Sequence, residues 1–151
     1  MIYVIEQEQI VNAEIDKVWD YFSTPRNLNA MTPKSLQFRI ISNLPDKMYT
    51  GQIIQYRVKA VPLIWSNWLT EIKYVIEKRK FVDEQRRGPY KFWFHEHIFE
   101  PLEGGKVIIT DRVHYDIGFG FIGSLLNTLF IKRKLESIFK FRRKKVEEVF
   151  G

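Results

Sequence analysis

The chain is predicted to be an α+β domain in which a seven-stranded antiparallel sheet packs against one long C-terminal helix. Three observations predict this. Strand-like runs follow one another with short turn signals between them, which favours antiparallel neighbours. Two short helical stretches interrupt the order only after the first strand. A long stretch of helical periodicity closes the chain and must cover the apolar face of the sheet.

Tyr3 to Ala13 is rich in β-branched and aromatic residues and reads as strand 1. Glu14 to Phe22 then changes period: Ile15, Val18, Trp19 and Phe22 recur at three and four, as on one helix face. Asn12 is the expected N-cap. Ser23-Thr24-Pro25 ends this helix, because a residue before Pro avoids the α region. A second short helix is expected over Arg26 to Ala30, stopping near Thr32-Pro33.

Strands are then expected at Leu36–Ser42, Ile53–Val61, Trp65–Glu77, Lys80–Arg86, Tyr90–Phe99 and Lys106–Ile117. Ile54, Tyr56, Val58 and Ala60 alternate with Gln55, Arg57 and Lys59, so one side of the sheet faces solvent. Turns fall at Asn43-Leu44-Pro45-Asp46, Arg87-Gly88-Pro89 and Glu103-Gly104-Gly105. Gly118 to Gly123 breaks the last strand, and the helix is expected from about Ser124 to Val149. Its apolar stripe includes Ile131, Leu135, Ile138, Phe139, Val146, Val149 and Phe150.

Composition narrows the function classes. At 151 residues the chain is expected to be a single ligand-binding domain over residues 1–151. There is no cysteine, which excludes disulfides, thiol nucleophiles and cysteine-ligated metal. No charged and apolar leader opens the chain and no apolar run spans a bilayer, so a cytoplasmic protein is expected. The net charge of +6 is local: residues 132–145 carry eight basic side chains against Glu136, while the rest holds 16 basic and 17 acidic ones. That run reads as a solvated face, as a contact for an anionic membrane, or as a nucleic-acid surface. Only Phe139 and Phe141 interleave with the basic residues, so nucleic acid is not the expected partner.

Chemistry concentrates in the strand Trp93-Phe94-His95-Glu96-His97-Ile98-Phe99 and the next, Asp111-Arg112-Val113-His114-Tyr115. Alternation puts Trp93, His95, His97 and Phe99 on one face, and Asp111, Val113 and Tyr115 can share a face of the partner strand. If the turn centres on Glu103-Gly104, Asp111 lies across from His95 or His97. Such a His–Asp pair orients an imidazole and raises its pKa, which suits acid–base work. Two histidines so spaced can also chelate a metal given a third ligand, or can be part-buried residues satisfied by neighbours. The H-E-x-x-H motif is absent, and neither metal nor cofactor is predicted. Tyr56, Trp68, Trp93, Phe99 and Tyr115 are candidate cavity liners, with ordinary core packing as the alternative. Gly118-x-Gly120-x-x-Gly123 matches a dinucleotide spacing without the βαβ context, and reads as a flexible cavity entrance instead.

The ordered set Ile15-Asp16-Lys17-Val18-Trp19-Asp20-Tyr21-Phe22, Pro25-Arg26-Asn27-Leu28, Met31-Thr32-Pro33, Phe81 to Tyr90, Trp93 to Phe99 and Asp111 to Tyr115 resembles the START-like, Bet v 1-like (SRPBCC) superfamily. Within it the chain is similar to the polyketide cyclase/dehydrase-like subgroup. The resemblance implies a helix-grip fold with a hydrophobic cavity between sheet and C-terminal helix. It implies a lipid, polyketide-like or other apolar ligand. The expected ligand-binding residues are Tyr56, Trp68, Trp93, His95, His97, Phe99, Asp111 and Tyr115. The alternative functions are a cyclase/dehydratase-type enzyme using His95, His97 and Asp111, and an interaction protein acting through its basic helix.

Overall fold

A computed structural model of the chain describes residues 1–61 and 63–151, with the side chains of Ala60 and Val61 also outside the description. Seven strands pair antiparallel in the order β1-β7-β6-β5-β4-β3-β2. They are β1 Tyr3–Val11, β2 Arg39–Ile40, β3 Ile53–Val61, β4 Ile64–Ile76, β5 Lys80–Arg87, β6 Phe92–Leu102 and β7 Lys106–Asp116. Helix α1 covers Ile15–Phe22, and 3-10 turns follow at Pro25–Leu28 and Lys34–Leu36. The C-terminal helix runs as α2 Gly120–Leu126, a π-helical turn Asn127–Ile131, and α3 Lys132–Phe150. No helix among the described residues is long and apolar enough to cross a membrane.

The alternation expected for β3 holds where side chains are described. Ile54 and Val58 are buried, while Gln55 and Arg57 are exposed. Four local expectations differ. Asn12 does not cap α1; Glu14 occupies that position without a side-chain bond, and Asn12 instead donates to the Gly151 carbonyl at 3.1 Å. The second short helix is a single 3-10 turn, as befits a four-residue segment held between Pro25 and the Pro33 stop. The strand expected over Leu36–Ser42 shrinks to Arg39–Ile40, because Lys34–Leu36 winds into a 3-10 turn and Gln37 takes a left-handed φ of 46°. The long helix starts at Gly120, before Ser124, after Phe119 has turned the chain at a φ of 58°.

β1 is the strand that ties the last helix down. Its inward Gln7 and Gln9 donate to the Phe139 and Arg143 carbonyls of α3 at 3.3 and 3.0 Å. Buried apolar side chains gather in two groups. One surrounds α1 with Trp19, Phe22, Phe81, Phe99 and Val146; the other joins Trp68, Trp93, Tyr115, Leu135 and Phe139.

Two glycine positions govern this arrangement. Gly104 and Gly105 turn β6 into β7 with φ of 76° and 69°, the left-handed region that other residues avoid. That turn sets a register in which His97 faces Asp111 and His95 faces Val113. Gly123 lets α2 lie against the loop before it, since an added Cβ would run into the Gly118 carbonyl oxygen. Gly123→Ala should therefore destabilise the fold by about 1–3 kcal/mol, the usual effect of overpacking, as read from urea denaturation. An unchanged midpoint would contradict this packing.

Candidate functional site

The inward faces of β5, β6 and β7 bring four titratable residues together, and α3 adds a fifth. Register places Asp83 of β5 beside His95, and Phe81 beside His97. Asp111 of β7 lies across from His97. Arg142 descends from α3 onto the same spot, its side chain only 11% exposed.

The contacts around the two rings favour one distribution of protons. Arg142 Nη2 lies 3.1 Å from His97 Nδ1. His97 Nδ1 also lies 2.9 Å from Asp111 Oδ1, but a guanidinium can only donate, so Arg142 beside Nδ1 and Asp83 beside Nε2 together assign the His97 proton to Nε2. That Nε2–H donates to Asp83 Oδ2 at 2.7 Å. His95 Nε2 donates to Asp111 Oδ1 at 3.1 Å, and its Nδ1 lies 3.2 Å from Asp83 Oδ2. Both rings have carboxylates on two sides, but Arg142 stands beside His97 alone, which leaves the imidazolium charge to His95. Trp93 Nε1 completes the Asp83 shell at 3.2 Å, while Arg142 Nε stands 3.3 Å from Asp111 Oδ2.

Electrostatics leads to the same assignment. Burial pulls the His95 pKa down, but the charge of Asp83 and the bonds to Asp111 and Asp83 together raise it above 6.5. Burial and the neighbouring His95 charge lower that of His97. The two rings lie 3.8 Å apart between centroids, so both cannot be charged at little cost. Burial alone would raise both aspartates. The His95 charge with the imidazole bonds holds Asp83 far below the usual carboxylate range. Arg142 with the His95 bond does the same for Asp111. Two carboxylates, one guanidinium and one imidazolium sum to zero, which offsets the desolvation of each.

Aromatic rings enclose this group on several sides. Phe81 stacks on His97 at 4.3 Å, Phe139 stands 5.6 Å from His95, and the Arg142 guanidinium lies 5.4 Å from the Phe22 ring centre. The charges thus sit where the two apolar groups meet.

Beside this cluster lies a cavity of about 310 Å³ between the sheet and α3. Its wall is mostly apolar, with Ile54, Trp68, Leu135, Ile138 and Phe139 among its members, and Asp83, His95 and Arg142 form the charged side. Rings in the wall pack directly on one another. Tyr56 stacks on Trp68 at 5.6 Å and Trp93 meets Trp68 edge-on at 5.2 Å.

Of the residues singled out in the sequence, Tyr56, Trp68, Trp93 and His95 line this cavity. His97 and Asp111 belong to the charged cluster but not to the lining. Phe99 sits in the other apolar group, against Phe22 at 5.2 Å and Trp19 at 5.6 Å. Tyr115 packs beneath Tyr90 and donates to Asn127 Oδ1 at 2.8 Å, closing the π-helical turn onto β7. Asp83 and Arg142 were not anticipated. Each carried a signal: Asp83 alternates with the apolar Phe81, and Arg142 falls on the stripe of Leu135, Phe139 and Val146. The basic run is also less uniform than it reads. Arg142 points inward, Arg143 pairs with Glu147 and Lys145 with Glu148.

Donor atoms of Asp83, His95 and His97 lie within 4.8 Å of one another, a grouping able to hold a metal ion. In the bonding found here, the nitrogens aimed at Asp83 carry protons that a metal would have to displace.

Solved structures share this architecture. A START superfamily protein from Mycobacterium smegmatis superposes with a TM-score of 0.70 at 13% identity, over 97% of this chain and 98% of that one. Norcoclaurine synthase from Thalictrum flavum, in complex with dopamine and hydroxybenzaldehyde, gives 0.67 at 18% identity, over 100% and 90%. A protein from Thermus thermophilus gives 0.69 at 17%, over 99% and 100%. No protein-family model matches the chain, and no curated protein matches it in sequence. The fold is therefore the helix-grip fold of the START-like, Bet v 1-like (SRPBCC) proteins.

Two outcomes follow from the cluster. His95 is raised above 6.5, so its contribution to stability is complete below that pH and is lost as pH rises through the folded value. His97 is lowered, so stability is lost as pH falls from 6.5 through its folded value. The aspartates, ordinarily near 3.8, withdraw theirs at still lower pH. Stability measured by urea denaturation should peak near pH 6.5, and His95→Gln should flatten the alkaline limb. A wild-type profile flat from about pH 6 to 9 would contradict the assignment. Separately, Arg142→Leu leaves a buried carboxylate unmatched and should cost about 3–5 kcal/mol. The loss should be smaller in mild acid, where His97 can take up the missing charge.

Proposed function

We propose that this protein binds an apolar or amphipathic small molecule, lipid or polyketide-like, in the cavity between sheet and α3. The observation that carries this reading is the cavity itself. Its roughly 310 Å³ falls at the small end of ligand-site volumes, and its wall is apolar with polar groups gathered at one side. Burial of ligand carbon supplies the affinity, at about 25 cal/mol per Å². The charged side, where Asp83, His95 and Arg142 reach the lining, orients a polar end of the ligand. Norcoclaurine synthase, of the same fold, is known in complex with two small aromatic molecules, which supports the choice of ligand class.

A second reading has its own observation. The imidazolium of the cluster, His95, is a lining residue. It is placed to give a proton to the oxygen of a bound ketone and, then neutral, to take one from the α-carbon, so that enolisation leaves the ring charged again while Asp83 and Asp111 stay ionised, the chemistry of a cyclase or dehydratase. In that reading His97 and Asp111 are positioning residues.

Thermal unfolding with a panel of fatty acids and aromatic ketones tests the first reading. A ligand at a hundred times its Kd adds about 2.7 kcal/mol, which is roughly 5–10 °C for a domain of this size. Ile138→Trp fills the cavity and should melt normally while losing the response. No shift with any member of the panel would count against binding. For the second reading, a stabilising ketone is followed by NMR in heavy water: wild type should exchange its α-hydrogens and His95→Gln should not.

A further inference from the structure

Helix α2 and the π-helical turn are built inside out. The side that meets the protein carries Gly123 and Asn127, both buried. The outer side carries Phe119, Phe121, Ile122, Leu125, Leu129 and Phe130, with Phe121 83% and Phe119 77% exposed. A surface helix ordinarily turns polar residues outward. Here no charged side chain occurs from Ile117 to Ile131, so the exposed face is a continuous apolar patch of the kind that marks an interaction surface.

What borders the patch identifies its partner. Lys132 and Arg133 follow directly and are exposed. No acid lies between Asp116 and Glu136, and Asp116 is itself held by the N-terminal ammonium and the Gly118 amide. An apolar face continued by Lys132 and Arg133 complements a surface with anionic headgroups over hydrocarbon. A second copy docked through the same face would bring its own Lys132 and Arg133 into the interface, like charge against like. We infer that the exposed face of Phe119 to Phe130, bordered by Lys132 and Arg133, docks this protein on an anionic lipid surface.

The docked face adjoins the cavity. Ile117, Ile131 and Lys134 line the cavity and are also partly exposed. An apolar ligand can therefore pass between bilayer and cavity with little exposure to water. This transfer rests on the binding proposed above, whereas the docking does not.

Co-sedimentation with phosphatidylcholine vesicles, with and without phosphatidylserine, tests the docking on the full chain. The protein should pellet with the anionic vesicles and be released by salt. Phe121→Ser with Ile122→Ser, and separately Lys132→Glu with Arg133→Glu, should each weaken binding roughly tenfold or more. Both variants should keep the wild-type melting temperature and ligand response, since neither pair touches the cavity. Absence of vesicle binding by the folded protein overturns the inference. So does binding that ignores phosphatidylserine and both variants. A dimer in light scattering that Phe121→Ser dissolves, without vesicle binding, likewise overturns it and assigns the face to a second copy. Vesicle binding without any ligand response supports docking and removes only the cavity reading; the reverse removes only docking.

Discussion

The fold depends on neutralising two inward-facing carboxylates, Asp111 buried and Asp83 partly so. Asp83 and Asp111 lie on the apolar face of the sheet, where α3 must pack, and neither can be left there unmatched without a large desolvation cost. The strands supply one positive charge through His95, and the helix supplies the other through Arg142. Sheet and helix are thus each incomplete alone, and their docking is an electrostatic event as well as a hydrophobic one. The bonds are directional, so they also fix the rotation of α3: turning the helix by one residue would swing Arg142 away and leave Asp111 with the His95 bond alone.

The same arrangement accounts for the cavity. A sheet face furnished with Leu and Val would collapse onto the helix. This one carries large rings that brace one another edge-on and stacked, together with charged groups bonded to one another. Neither set moves easily into the space between sheet and helix. The hollow is then a consequence of how the wall is built, and its polarity gradient runs from the charged side to the apolar remainder.

Much of this was legible in the sequence, because it follows from period. Alternation placed Trp93, His95, His97 and Phe99 on one face, and the Gly104-Gly105 turn limited Asp111 to two registers, of which the structure realises His97. The alternation could not say to which part of the interior each residue belonged. Phe99 therefore joins the α1 group and Tyr115 packs under Tyr90, although both share a face with lining residues. Asp83 was masked by its charged neighbours Glu84, Arg86 and Arg87, and Arg142 by the basic run around it. In both cases the composition of the segment hid a residue whose position in the period was unusual. The exposed face of α2 escaped for a different reason: Gly118 to Gly123 reads as a glycine-rich entrance, and the apolar stripe of the helix is drawn only from Ile131 onward.

Side-chain nitrogen NMR of the histidines near neutral pH tests the central claim most directly, since it reads the protonation of each imidazole separately. The account predicts His95 with both nitrogens protonated and His97 neutral with its proton on Nε2. Two neutral rings, two charged rings, or a His97 protonated on Nδ1 would contradict the balance of charge on which the docking of α3 rests.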